Sequence, residues 1–211
     1  EVHTKLLNAP IKGRQAIYGI LQVHSPIDYI YTEVQKNFIR MLAQASGNAL
    51  ENAKLNHQSH RLIADLQMIN ETSHRLNLNL TIDEMLFYLQ KQLIKSFQPM
   101  ELGFVFKEEI YEVANTLTNV FLSDKGKLYL NYVENHFINT KDSLFIADFS
   151  RLIGEEVQFK SIMAIPMLVG NKIIGYCIVL HEQPYFFSFD SFKLMQSLIQ
   201  HSSLAISNSI L

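Results

Sequence analysis

The chain has 211 residues, of which 48% are hydrophobic, 18% charged and 11% aromatic, and its net charge is −2. Such a composition is that of a globular protein with a real core, in one large domain or two small ones. No two Lys or Arg residues are adjacent, so the basic surface of a nucleic-acid-binding protein is missing. The longest apolar run, about eight residues at 173–180, is too short for direct membrane insertion, which takes about 20 residues.

The first predicted element is a β-hairpin within residues 1–32, around the segment APIKGRQAIYGILQV at 9–23. Residue 1 already stands at the start of this hairpin. We therefore expect residues 1–32 to be the C-terminal hairpin of a first, truncated domain, and the sequence to be a middle piece of a larger protein.

A single long helix is predicted over residues 33–78, because this stretch contains no Pro and only one Gly, Gly47. Apolar residues recur in it with a seven-residue repeat, which is typical of a parallel dimeric coiled coil. Polar residues interrupt this row, and in coiled coils they lower stability but specify register and the number of chains. The predicted dimer seam comprises Met41, Asn48, Asn52, Leu55, Leu62, Leu66, Ile69 and Leu76.

A complete second domain is predicted over residues 79–211. Thr81 and Glu84 have the spacing of a helix-capping box, and Pro99 ends the helix that follows. Strands are predicted at 102–107, 110–117 and 143–148, and a helix near 124–138. A hairpin of 161–168 and 172–181 around Gly170-Asn171 then leads into a final helix. Strands and helices are interspersed with hairpins, so we predict an α+β fold with a largely antiparallel sheet.

The two hairpins belong to an internal repeat. Residues 4–55 align with 160–211 without a gap and with about eleven identities, including Pro10 with Pro166 and Gly19 with Gly175. Each copy reads as strand, turn, strand, loop and helix. The repeat therefore predicts one complete domain and a partial copy of it, joined by the helix at 33–78.

The last segment, SIMAIPMLVGNKIIGYCIVLHEQPYFFSFDSFKLMQSLIQHSSLAISNSIL, resembles the second half of a GAF domain, and LFIADFS at 144–150 is similar to the middle strand of that family. The matching positions are Ser161, Pro166, Gly170, Gly175, Asp190, Leu198, Gln200, Ala205 and Asn208. The resemblance covers residues 77–211 as a whole domain and 1–55 as the end of another.

This resemblance implies a GAF-like central antiparallel sheet with helices on both faces, in which some helices make dimer contacts and a pocket binds a small molecule. It also implies an output domain outside this chain, such as a GGDEF-type diguanylate cyclase or a histidine kinase. The Asn-Lys-x-Phe-x-Asp-Glu signature of the cyclic-nucleotide-binding members and the phytochrome Cys-His pair are both absent. The cofactor and the ligand therefore remain unknown.

Candidate ligand-binding residues follow from the strand ends and aromatic positions of the second domain. Asp148, Phe149 and Arg151 follow a strand end, where a pocket places polar groups beside aromatic walls, although a surface turn and a core ring explain them equally well. The other candidates, for which ordinary core packing is the alternative, are Tyr132, Phe137, Phe145, Ser161, Met163 and Cys177.

Catalytic and metal chemistry find little support in the sequence. There is no G-x-S-x-G, H-E-x-x-H, P-loop or G-x-G-x-x-G motif, and His57, His60 and His74 on the long helix lack further metal ligands. Cys177 is the single cysteine, so a disulfide within the chain is excluded and a cytoplasmic location fits best. Its repeat partner is Leu21, which favours a buried, inert thiol.

The sequence thus favours a non-catalytic sensory or regulatory module, which binds a small molecule or a partner and passes the signal through a dimeric helix to an output domain outside this chain. A purely structural dimerisation module with a filled pocket is the alternative. A cysteine-dependent enzyme of the methionine sulfoxide reductase type is a weaker one, because that branch of the family uses more than one cysteine.

Overall fold

The computed structural model describes residues 4–107 and 122–210. The predicted strand at 110–117 lies outside the described residues. Two compact units are present, Glu1–Asp65 and Leu66–Leu211, and the division between them falls within the long helix.

The first unit contains an antiparallel hairpin, β1 (Thr4–Lys12) and β2 (Ile17–Pro26), followed by the start of helix α1 (Glu33–Leu76). Thr32 and Gln35 begin this helix with a reciprocal pair of hydrogen bonds, in which each backbone N–H donates to the side-chain oxygen of the other residue at 3.0 and 3.2 Å. The long helix predicted over 33–78 is confirmed as one helix, and it ends two residues early.

The second unit begins with the C-terminal part of α1 and continues with α2, whose capping box at Thr81 and Glu84 is confirmed. Its sheet has the order β3-β6-β5-β4, and each neighbouring pair is antiparallel. The elements after α1 are α2 (Ile82–Phe97), β3 (Glu101–Phe106), α3 (Asp124–Lys127), α4 (Leu130–Asn139), β4 (Leu144–Ile146), α5 (Phe149–Ile153), β5 (Ser161–Val169), β6 (Lys172–His181) and α6 (Phe189–Ile210).

The two hairpins have the same strand register, which supports the internal repeat. Leu7 pairs with Val23 in the first hairpin, and the residues 156 positions later, Met163 and Val179, pair in the second. Both hairpins also have their irregularity at the same place, between Ile11 and Lys12 and between Met167 and Leu168. Because a bulge requires a specific local geometry, its occurrence at the same position in both hairpins indicates that they arose by duplication.

The sheet of the second unit is covered on both faces, since successive residues of each strand point to opposite sides. One face, here called the α2–α6 face, buries residues such as Phe104, Met163 and Cys177 against α2 and α6. The other, here called the aromatic face, buries Ile162, Tyr176, Ile178 and their neighbours. The predicted α+β fold, with an antiparallel sheet and helices on both sides, is confirmed.

The helix predicted near 124–138 is instead two helices, α3 and α4, separated at Leu128 and Tyr129. The interruption leaves Leu128 exposed and turns Tyr129 into the core of the aromatic face. The strand predicted at 143–148 is shorter at both ends, because Asp148 already caps the next helix, α5. The first difference arises from the tertiary contacts of Tyr129, and the second from the local cap that Asp148 forms with the backbone N–H of Arg151.

No helix among residues 4–107 and 122–210 is long and apolar enough to span a membrane. Within the same ranges, no group of three or more His, Cys, Asp or Glu side chains is placed to hold a metal ion.

Candidate functional site

Three predicted ligand-binding residues, Tyr132, Phe137 and Phe149, lie on or beside the aromatic face. The rings of Tyr132 and Phe149 meet edge to face with centroids 4.8 Å apart, and Phe137 lies 5.1 Å from the ring of Tyr176. Phe137 and Phe149 are buried, and Tyr132 is partly exposed at the edge of the group. Aromatic side chains are therefore packed into this face of the sheet, and Tyr132 is the most exposed ring of the group.

The polar candidates make structural hydrogen bonds. The carboxylate of Asp148 caps α5 by accepting from the backbone N–H of Arg151 at 3.3 Å. The hydroxyl of Ser161 is buried, accepts from the backbone N–H of Phe186 at 3.0 Å and lies 2.7 Å from the carbonyl oxygen of Gln183. Ser161 thus ties the start of β5 to the loop before α6. Whether these residues also bind a ligand stays a prediction.

The remaining candidates, Phe145, Met163 and Cys177, lie on the α2–α6 face. The ring of Phe145 packs against Phe192 of α6 at 5.0 Å, and Met163 and Cys177 are fully buried. These three residues occupy strand positions of opposite parity to those of the aromatic face. The candidates therefore lie on both faces of the sheet and do not line a single cavity.

The environment of Cys177 argues against cysteine chemistry. Burial raises the pKa of this thiol well above its usual range, so the thiol stays protonated at neutral pH. The reactive form of cysteine is the thiolate, and a reagent would also have to reach a fully buried atom. An inert core thiol is what the geometry supports.

Sequence reasoning missed several residues of the aromatic face. The hydroxyl of Tyr129 accepts from the backbone N–H of Phe159 at 2.8 Å, and the hydroxyl of Tyr176 donates to the carboxylate of Glu134 at 3.2 Å. Tyr176 could have been found, because it alternates with Cys177 along β6 and must face the other way. Tyr129 could not, because the predicted helix ran through it.

A cleft of about 480 Å³ lies beside the edge of β5. Here β5 continues past the short strand β4, and Pro166 has no backbone N–H to extend the pairing. The size is within the range of small-molecule sites. Its polar lining side chains are Lys141, Asp142, Ser143, Lys193, Gln196, Ser197 and Gln200. None of the nine sequence candidates lines it, and these residues are too scattered in sequence to have been grouped.

The predicted dimer seam lies on α1, and most of it is exposed. Leu62 is 59% exposed, and the other seam residues from Met41 to Leu66 are exposed as well. The prediction is wrong for Ile69 and Leu76, which are buried in the second unit; Leu76 is only 1% exposed. A seven-residue repeat shows that a helix face is apolar, but it does not show whether the same chain or another one covers it.

Comparison with known proteins gives one clear relative in sequence. No family model matches the chain. It is 35% identical over 205 residues to an uncharacterized protein of Bacillus subtilis, YtrP, and the match covers 96% of this chain and 35% of that protein. The chain thus spans about a third of the length of this curated relative.

Solved structures with similar folds are more distant. The GAF domain of a phosphoenolpyruvate-protein phosphotransferase from Acinetobacter shares 13% identity at a TM-score of 0.47, covering 68% of this chain and 92% of that one. Free methionine-R-sulfoxide reductase from Neisseria meningitidis shares 10% identity at a TM-score of 0.49, covering 69% and 89%. With both TM-scores below 0.5, the fold class stands on the strand order and register of the chain itself.

Proposed function

We propose that this chain is a non-catalytic sensory or regulatory module, in which two chains associate in parallel through α1 and pass a signal to an output domain elsewhere in a longer cytoplasmic protein. The observation that carries the proposal is α1 itself. It begins after one hairpin, ends in the core of the next unit, and presents an uncovered apolar row between those points.

Association of two chains would bury apolar side chains of α1 that are exposed to water in a single chain. Burial of apolar surface contributes roughly 25 cal/mol per Å², so a row of exposed leucines is a strong drive to pair. Asn48 and Asn52 weaken this seam while fixing its register, which suits a helix pair that shifts between arrangements. A coupling of about 1–3 kcal/mol between ligand and seam is enough for regulation.

The first unit is proposed to be the end of a second domain of the same kind. Ile17 is 63% exposed, whereas its repeat partner Ile173 is 4% exposed beneath the helices of the second unit. Matched positions in equal registers should have equal environments. We therefore propose that further residues of the longer protein cover the first hairpin, and that its output domain is a diguanylate cyclase or a histidine kinase.

A structural dimerisation module is the second candidate, and the packed aromatic face favours it. Native mass spectrometry with a thermal-shift screen of metabolite classes separates the two. A sensory module should retain a small molecule, or its melting temperature should rise by several degrees when a ligand is added. At a ligand concentration of about 100 times Kd, binding stabilises the folded state by about 2.7 kcal/mol. A structural module should do neither with any class tested.

Two matched variants would locate a ligand found in this way. Lys193→Ala removes a cation from the cleft beside β5, and Tyr132→Ala removes the partly exposed ring at the edge of the aromatic face. Loss of the thermal shift in one variant and its retention in the other assigns the site. Retention in both would exclude both places.

A further inference from the structure

A buried carboxylate joins the first hairpin to α1. Glu51 is only 4% exposed, although it stands in the middle of the exposed part of this helix. Its carboxylate accepts from the backbone N–H groups of Arg14 at 2.7 Å and Gln15 at 2.8 Å, and from the hydroxyl of Tyr18 at 3.1 Å. Hydrogen bonds to an ionised acceptor are stronger than neutral ones.

The contact is possible because the backbones approach closely. A Cβ on Gly47 would lie 2.3 Å from the carbonyl oxygen of Lys12, and one on Gly13 would lie 2.6 Å from the Glu51 carboxylate. Gly47 is therefore required where it stands, because its neighbour is backbone, whereas a side chain at Gly13 would displace the Glu51 carboxylate. One helix face, formed by Ala43, Gly47 and Glu51, is shaped to receive the β1–β2 turn.

The second copy of the repeat lacks this arrangement. The residues 156 positions after Ala43, Gly47 and Glu51 are Ile199, Ser203 and Ser207, and none of them carries a carboxylate. The hydroxyl of Ser203 donates to the carbonyl oxygen of Ile199 in its own helix. The first unit thus attaches its hairpin by polar contacts, and the second by an apolar core.

We propose that Glu51 is a latch that fastens the β1–β2 turn to α1, and that its opening lets the first hairpin move independently of this helix. Glu51 is not a seam residue, but it directly precedes the seam residue Asn52 and follows the seam residue Asn48 by three positions. Resting on the proposed function, the latch is where a change in the first domain reaches the helix pair.

The latch is sensitive to protonation. Hydrogen bonds from the backbone of Gln15 and Arg14 lower the pKa of Glu51 below its ordinary value of 4.5, with smaller contributions from Tyr18 and the Arg14 charge. Lys54 of α1 lies nearby, with its Nζ 5.9 Å from the Tyr18 ring. Because the folded pKa is lowered, the stabilisation is complete above the ordinary value and is lost as the pH falls through the folded one.

Hydrogen exchange of the turn amides tests the latch. In Glu51→Gln one of the two accepting oxygens becomes an NH2 group, which donates and cannot accept, so Arg14 and Gln15 no longer each have an oxygen to bind. The charge is lost as well, and the protection factors of these two amides should fall by about tenfold or more. The matched control is Glu71→Gln, which makes the same charge change at an exposed position of the same helix. It should leave both amides unchanged.

Unchanged protection in Glu51→Gln would overturn the latch. Should this variant fail to fold, Tyr18→Phe removes one hydrogen bond to the carboxylate, and a smaller fall in protection of the same two amides is expected. Protection equal to that of the wild type would again overturn it. The hydrogen bonds of the turn lie within one chain, and sedimentation equilibrium measures dimer formation separately, so failure of the latch and failure of the proposed dimer are distinguishable.

Discussion

Replacement of Gly175 by alanine is expected to destabilise the second unit by about 1–3 kcal/mol, and by more if the strands cannot separate. A Cβ at this position would lie 2.4 Å from the carbonyl oxygen of Val105 and 3.1 Å from Phe106. These are backbone atoms of β3, where Phe106 pairs with Gly175. The change can be measured by urea unfolding followed by circular dichroism.

The repeat supplies the matched control, Gly19→Ala. Gly19 is the counterpart of Gly175 in the first hairpin, but a Cβ there would meet only the Ile11 Cδ1 atom, at 3.8 Å. Alanine in a strand loses less backbone entropy than glycine on folding, so this variant should be neutral or more stable by up to about 1 kcal/mol. Equal losses at both positions, or none at Gly175, would contradict the account.

The same pair of variants also tests the proposed longer domain. If a further strand pairs with β2 of the first hairpin as β3 pairs with β6, Gly19→Ala should become destabilising. This result is expected in the longer protein and not in the present chain. A neutral Gly19→Ala in both would leave the first hairpin without the partner strand that we propose.

Replacement of Leu62 by glutamate should abolish the dimer. In a parallel pair the two introduced carboxylates would face each other across the seam, where burial of like charges is strongly unfavourable. Leu62 is exposed within its own chain, so folding of each chain should change by no more than about 0.5 kcal/mol. Sedimentation equilibrium should then show the mass of a single chain.

Ala64→Glu is the control for this experiment, because Ala64 is also exposed but lies on the side of α1 opposite the seam. It should leave the dimer intact. Ile69→Glu should instead unfold the second unit, because Ile69 is buried there and a charge at this position would be buried as well. A Leu62→Glu protein that remains dimeric would remove this part of α1 from the interface.

Much of the fold could be predicted because local signals agree with it. The capping box at Thr81, the turn at Gly170-Asn171 and the helix without Pro are each determined within a few residues. The internal repeat also relates the strand register of the first hairpin to that of the second, because the aligned residues pair in the same way.

The candidate site was less predictable, because its chemistry depends on long-range contacts. Asp148 has the same sequence context whether it caps a helix or meets a ligand, and the structure shows that it caps α5. The seam residues Ile69 and Leu76 share a repeat with Leu62 but are covered by their own chain. Glu51 gave no signal at all, since a lone acid on a helix usually lies in water.

Disulfide formation by single cysteines along α1 tests the central claim most directly. The present chain is a suitable starting point for these variants, because its one cysteine, Cys177, is fully buried. A parallel, in-register helix pair predicts that Leu55→Cys and Leu62→Cys each form a disulfide-linked dimer under mild oxidation, and that Ala64→Cys and Ile69→Cys do not. Absence of the linked dimer at both Leu55 and Leu62, or equal linkage at Ala64, would contradict it.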